Sequence, residues 1–329
     1  MLWVHQTSRT LSIMIMLTLA TLAVLALATL AGTAWLERRY APDGEMVAVD
    51  GGALHVVDIG PRDGGPAIVL IHGASANLRS MRPLGDELAT THRVILIDRP
   101  GHGYSPRQDG AQSSPTTQAA MIDAALRRLG VDRAVIVVHS LAGALGALMP
   151  LNHPKRVAGL VMLAPVTHPW RGGVGSLNKI IATPLIGPLL ARTIVLPLGL
   201  GFVTPGARTA FAPQPMPADF VDDSATPLLL RPQQFRANAF DLVTLKEAVR
   251  AQVSRYPQIA VPTVVLHGDA DTIASVDIHS RPFVAAVPHA KLIVLPNIGH
   301  MVQYAAPGLV VREIDAMLAA ARPKAAVLQ

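Results

Sequence analysis

Residues 135–146 read VIVVHSLAGALG, four β-branched residues running into His139 and Ser140, with small and apolar residues behind them. The β-branched run favours an extended strand and the stretch after it suits a helix, so Ser140 falls at a strand-to-helix turn. The pattern departs from G-x-S-x-G at both ends, with Val138 where the first glycine would stand and Ala142 where the second would. A serine at such a turn is either a helix cap or an exposed nucleophile, and the rest of the chain decides between them.

Apolar runs of the same kind recur at AIVLI (67–71), RVILID (93–98), VAGLVML (157–163), TVVLH (263–267) and KLIVL (291–295). Runs without a polar alternation suit strands buried on both faces, as in a parallel sheet. Ahead of them, EMVAVDGGALHVVDIG (45–60) reads as an antiparallel hairpin about Gly51 and Gly52. Helical stretches lie between most of the runs, for example TTQAAMIDAALRRLG with Gly130 at its end. The predicted fold is therefore α/β, a mostly parallel eight-stranded sheet with helices on both faces.

Two segments stand outside that alternation. From Leu11 to Ala31 the chain carries no charge, and a helix over this stretch would measure roughly 30 Å, the thickness of a bilayer's hydrocarbon core. Residues 1–40 are accordingly expected to be a single-pass N-terminal anchor and linker, in contact with a lipid bilayer through residues 11–31 and retained in a bacterial inner membrane; a cleaved signal peptide is the alternative, opposed by the length of the apolar run, and Tyr40 to Glu45, with a Pro-Asp-Gly turn, reads as a short linker. Arg9 lies on one side and Arg38 and Arg39 on the other, so charge leaves the orientation open. The second segment, 166–256, separates two strands by far more than the roughly four to six residues of an ordinary connection, and is read as a lid inserted after the sixth strand. The core is then divided into 41–165 and 257–329.

The 329 residues are 50% hydrophobic, ample for a core, and contain no cysteine, which excludes disulfides and thiolate chemistry. A net charge of +6 is carried by scattered basic residues, and aromatics make up only 4%; nucleic acid is not an expected partner. A basic protein facing anionic lipid accounts for the same charge.

In an open α/β sheet, functional residues gather at the carboxyl ends of strands. Those ends read HGAS (72–75), DRPGHGYS (98–105), HS (139–140), HGDADT (267–272) and PNIGH (296–300). A serine hydroxyl needs a histidine to take its proton and a carboxylate to orient that histidine. Ser140, Asp271 and His300 occur in the chain order of the nucleophile-elbow enzymes. Amides for a developing oxyanion would come from Leu141 and Ala74.

These motifs, with VVHSLAGA and NIGHMVQYAAP, resemble the α/β-hydrolase superfamily in its capped, serine-nucleophile branch, over about residues 45–320. The resemblance implies Ser140 as nucleophile, Asp271 as acid, His300 as base, and Ala74 and Leu141 as oxyanion amides. The family's G-x-x-D spacing from Gly268 selects Asp271 over Asp269, and LAPVTHPW offers no acid after the preceding strand. His72, Asp98, His102 and Ser105 match family positions with scaffolding roles. Family members carry a small residue at the place of Val138, so this valine is expected to crowd the turn. His139, His267 and His279 show no metal-ligand spacing, and neither HGAS nor PGHG matches a nucleotide fingerprint; no metal or cofactor is expected. A serine nucleophile disfavours ring opening and dehalogenation and leaves attack on a carbonyl.

The apolar lid stretch SLNKIIATPLIGPLLARTIVLPLGLG and the anchor point to a small, hydrophobic acyl substrate, and hence to a carboxylic ester hydrolase. A peptidase or C–C bond hydrolase of the same fold is the alternative if Asp222, Asp223, Arg231 or Arg236 recognises a substrate terminus. A non-catalytic binding protein is the other, if Val138 spoils the turn.

Overall fold

The computed structural model describes residues 2–62, 65–108 and 110–321; residues 322–329, assigned above to the second part of the core, lie outside it. The strands are β1 (Glu45–Val49), β2 (Gly52–Ile59), β3 (Ala67–Ile71), β4 (Val94–Ile97), β5 (Ala134–His139), β6 (Val157–Leu163), β7 (Thr263–Gly268) and β8 (Lys291–Leu295). They form one eight-stranded sheet in the order β1-β2-β4-β3-β5-β6-β7-β8. β2 runs antiparallel to β1 and β4, and every pairing from β4 through to β8 is parallel.

Side chains alternate across the sheet because the strand period is two. Val69, Ile71, Ile136 and Val138 face one layer with Ile122, Leu126 and Leu145, contributed by α3 (Pro115–Arg128) and α4 (Gly143–Asn152). Ile68, Leu70, Val135 and Val137 face the other with Leu84, Leu88 and Ile314, from α2 (Arg82–Leu88) and a C-terminal helix (Pro307–Ala321). Both faces are thus covered, and that is why these strands read as unbroken apolar runs. Burying each such valine or isoleucine stabilises the fold by roughly 1.5–3 kcal/mol before entropy is counted.

The long interval between β6 and β7 includes the α-helical segments α5 (Ser176–Ile181), α6 (Ile186–Thr193), α7 (Val195–Phe211), α8 (Phe220–Asp223) and α9 (Pro232–Gln252), with 3-10 turns at Thr226–Leu230 and Val253–Gln258. The longest helix of this lid is α9, and α6 meets α7 at a bend of 73°. The lid is clamped to the sheet by a buried ion pair, Arg99 Nη1 to Asp241 Oδ2 at 2.6 Å, both side chains essentially without exposure.

The N-terminal helix α1 (Leu2–Arg39) is longer than the 11–31 stretch. It holds the one described single helix long and apolar enough to cross a membrane, Arg9–Arg39, with mean hydropathy 2.5; α6 and α7 pass the same test only if their bent pair is counted as one span. Its C-terminal part docks on the lid: Leu36 and Tyr40 are buried, Thr29 Oγ1 donates to Thr193 O at 3.2 Å, and Arg39 pairs with Asp222 at 2.7 Å. Residues 40–45, expected to be a linker, are held by the core, since Tyr104 OH donates to Tyr40 O at 2.7 Å and Arg82 pairs with Asp43 at 2.7 Å.

Candidate active site

β5 delivers Ser140 into a left-handed backbone conformation, φ 56°, that a non-glycine residue adopts only under strain of about 1–3 kcal/mol. A single turn of 3-10 helix over Ser140–Ala142 then leads into α4. The tight turn lifts the hydroxyl above the sheet. A Cβ on Gly143 would lie 2.6 Å from Pro165 Cβ, so this position has no room for a side chain.

The expected crowding by Val138 is relieved one turn into the helix. Val138 faces α4, and a Cβ at Gly146 would come within 2.7 Å of its Cγ2. The small residue usually placed before the elbow stands here at Gly146, and the isopropyl group occupies the space that this leaves. It points into the apolar layer beneath the turn and away from the cavity, whose wall does not include it.

The three separated strand ends converge. His300 Nε2 lies 2.8 Å from Ser140 Oγ, and His300 Nδ1 lies 2.7 Å from Asp271 Oδ2. The carboxylate accepts from Nδ1–H, which leaves Nε2 as the acceptor of the serine hydroxyl. The other Asp271 oxygen accepts from the Ile273 and Ala274 amides at 2.8 and 3.0 Å. Burial alone would raise the Asp271 pKa, but hydrogen bonds from His267 and His300 and the Ala274 amide outweigh it, holding the carboxyl well below the usual range. Asp269 is occupied elsewhere, accepting from the Asn297 amide at 2.6 Å.

Two histidines not given a role from sequence complete this network. His267 Nε2 sits 2.6 Å from Ala274 O and 3.1 Å from Asp271 Oδ2, both acceptors, so this nitrogen carries the proton; Ser280 Oγ then donates to Nδ1 at 2.6 Å. His139 Nε2 donates to His300 O at 3.1 Å. Burial first, and then the neighbouring His300, lower the His139 pKa to about 3, which keeps its ring neutral. Their signal in the sequence was position alone, each being the last or next-to-last residue of a buried strand.

Ala74 belongs to the loop after β3, which abuts the elbow: a Cβ on Gly73 would lie 2.9 Å from Ser140 Cβ. Gly73 O accepts from Arg99 Nη2 at 3.0 Å and from His72 Nδ1 at 2.8 Å. In a trans peptide the following N–H points opposite to that carbonyl, so the Ala74 amide is turned away from the buried arginine, and Ala74 lines the cavity. Leu141 follows Ser140 directly and is buried. The scaffolding expectation fits the remaining motif residues. Asp98 accepts from the Leu78 and Tyr104 amides and from His55 Nδ1, Ser105 Oγ donates to Asp98 O, and His72 Nε2 accepts from the Arg99 amide. His102 is buried behind Arg99, with its pKa pressed well down by burial and then by that arginine. Arg99 itself, which reaches from this loop to the lid, drew no attention in the sequence.

Ser140, His139 and His300 open into a cavity of about 670 Å³ roofed by the lid. Leu177, Leu198, Phe202, Val203, Leu230 and Phe235 make up much of its wall, and no charged side chain lines it among the described residues. The acidic and basic lid residues considered above point elsewhere: Asp222 to Arg39 and Tyr40, Arg231 to Glu37, and Arg236 over the Phe240 ring. Asp223 is not part of the wall either. Among the described residues no group of three or more metal-ligating side chains is assembled.

Residues 66–182 match a family model described as the alpha/beta hydrolase fold. A 2-hydroxy-6-oxononadienedioate/2-hydroxy-6-oxononatrienedioate hydrolase of Cupriavidus pinatubonensis is 25% identical over 76% of this chain and 85% of its own length. The solved structure of an N-acyl homoserine lactone degrading enzyme superposes with TM-score 0.62 at 25% identity, over 83% of this chain and 99% of that one. A bacterial membrane phospholipase A superposes with TM-score 0.63 at 20% identity, over 97% of this chain and all of that one.

Proposed function

We propose that this chain, a hydrolase with the α/β-hydrolase fold, cleaves a carboxylic ester of a hydrophobic acyl group through Ser140, His300 and Asp271. The observation that carries the reading is the continuous hydrogen-bonded line from Ser140 Oγ to His300 to Asp271, opening into an uncharged apolar cavity. Ser140 Oγ attacks the carbonyl carbon as His300 Nε2 takes its proton, and Asp271 holds the resulting imidazolium. The carbonyl oxygen, now an oxyanion, is assigned to the Ala74 and Leu141 amides. Collapse breaks the ester bond, the alcohol leaves with the proton from His300, and an acyl-serine remains. Water, deprotonated by His300, attacks the acyl carbon and releases the acid and Ser140.

Two other readings are weaker. C–C bond hydrolysis of a dicarboxylate is suggested by relatives named as hydrolases of a dioate. A dianion would call for cations in the wall, and the cavity offers none among the described residues. A non-catalytic role rested on crowding by Val138, which Gly146 accommodates.

The setting favours a membrane. Helix α1 supplies a span, and beside it the lid exposes Leu185 (86%), Phe202 (73%) and Leu198 (62%). Leu198 and Phe202 also line the cavity, so its roof and the exposed apolar face of the lid are the same helix. We assign the bilayer as the surface on which α1 and the lid rest and the hydrophobic acyl group as what the cavity takes from it.

The test is fluorophosphonate labelling of the folded protein, followed by hydrolysis of p-nitrophenyl esters of increasing chain length against aminoacyl arylamides. Labelling at Ser140 and a rate that climbs with chain length are expected. No labelling removes the enzymatic reading, and preference for the arylamides replaces the ester with a peptide.

A further inference from the structure

A second cavity, of about 800 Å³, lies between α1, the first turn of α9 and the loop that follows β4. Its wall includes three side chains with a buried polar atom that has no hydrogen-bond partner: Thr33 Oγ1, Gln234 Nε2 and Arg236 Nε. The last two are donors only and the hydroxyl can donate. Each buried donor left unpaired costs about 1–3 kcal/mol, and all three belong to residues of this one wall.

The charges around it agree. Arg192 and Arg236 line the cavity and, among the described residues, neither has a carboxylate partner; Arg236 has only the Phe240 ring, at 5.6 Å. Burial, and then the like charge of Arg192, lower the Arg236 pKa. The other two arginines in the wall are already engaged, Arg107 with Asp241 at 2.6 Å and Arg231 with Glu37 at 3.0 Å. Helix α9 begins here with no side-chain cap and no acidic residue in its first turn, so its free amides add positive potential on the same side.

The three unpaired atoms and the two unpaired arginines all donate or carry positive charge, and Glu37 in the same wall is taken up by Arg231; what these groups lack is an acceptor with several oxygens. We propose that the cavity binds a phosphate-type oxyanion, with Arg192 and Arg236 supplying charge and Thr33, Gln234 and the first turn of α9 supplying hydrogen bonds. A phosphate, with more acceptor oxygens than a carboxylate, satisfies more of these donors. The rest of the wall points to the source. Ala26 and Leu30 belong to α1, where its exposed apolar stretch ends and its docking on the lid begins, which is the level of a membrane's headgroups if α1 spans. A phospholipid headgroup with its chain along α1 fits this place, and a free phosphate ester is the other source of the same chemistry. The site is independent of the reaction assigned to Ser140.

The experiment uses the full chain in mild detergent. Native mass spectrometry measures retention of phosphatidylglycerol against phosphatidylcholine, and calorimetry measures binding of glycerol phosphate and of inorganic phosphate. Preferential retention of phosphatidylglycerol, weakened about tenfold or more by the double variant Arg192→Gln/Arg236→Gln and several-fold by Gln234→Leu, is expected. Binding of the soluble phosphates with the same dependence identifies a free ligand instead. Hydrolysis of p-nitrophenyl acetate and the melting temperature check that the variants are folded. Equal retention of the two lipids with no phosphate binding, or binding indifferent to both variants, overturns the proposal.

Discussion

On the floor of the catalytic cavity, Ser140, His139 and His300 are held in hydrogen bonds of 2.8 to 3.1 Å, whereas on its roof α7 offers Leu198, Phe202 and Val203, which make none with their side chains. Directional bonds fix the floor to a fraction of an ångström, which a proton transfer needs. Dispersion and hydrophobic contact fix only the volume and polarity of the roof. The floor therefore defines a reaction, and the roof defines a class of substrate more than one molecule.

The sharpest way to break this division is at the floor. Ser140→Ala should lower kcat/KM for a p-nitrophenyl ester by about four orders of magnitude or more with no change in melting temperature, and Asp271→Asn by about 10⁴. A loss below tenfold in steady-state assays would mean that the hydrogen-bonded line is structural. Next in size is the joint between floor and roof. Asp241→Asn leaves the buried Arg99 guanidinium short of a charge partner and should cost about 3–5 kcal/mol in denaturant unfolding. If the cost falls below 1 kcal/mol, the lid does not depend on this clamp.

Acid should loosen the floor. His139 and His279 are kept neutral chiefly by burial, with pKa values lowered to about 3 and about 4, while in the unfolded chain each binds a proton below about 6.5. Their contribution is present above that pH and is lost as pH falls toward 4, at up to about 1.4 kcal/mol per unit for each. Asp271 adds little to this slope above pH 5, because its own loss begins only as pH falls into the ordinary carboxylate range, where the unfolded chain takes up the proton. Melting curves from pH 7.5 to 5 should show the decline, and a flat profile would contradict it. The smallest effect concerns the exchange of volume under the elbow. Gly146→Ala should cost about 1–3 kcal/mol by overpacking against Val138, and adding Val138→Ala should recover part of that. Strict additivity of the two would show that the contact carries no strain.

The same contrast explains what was legible in the sequence. All eight strands and the convergence of Ser140, Asp271 and His300 could be read because burial on two faces writes itself as apolar runs, and because sheet order places strand ends without further information. Val138 misled, since its partner Gly146 is a helix turn away and reads as an ordinary small residue. His267, His139 and Arg99 escaped because they act through backbone carbonyls or through a lid residue some 140 positions on, at Asp241. The residues 40–45 read as a linker because their restraint comes from Tyr104 and Arg82, whose reach no local pattern announces.

The restraint at Tyr40 and Asp43 would have a geometric consequence in the membrane setting proposed above. With no slack between stem and body, the protein could not swing on a tether, and Ser140 would be carried at one fixed height and tilt above the lipid. The enzyme would then measure depth as well as chemistry, reaching only those ester bonds that sit at the matching level of the leaflet.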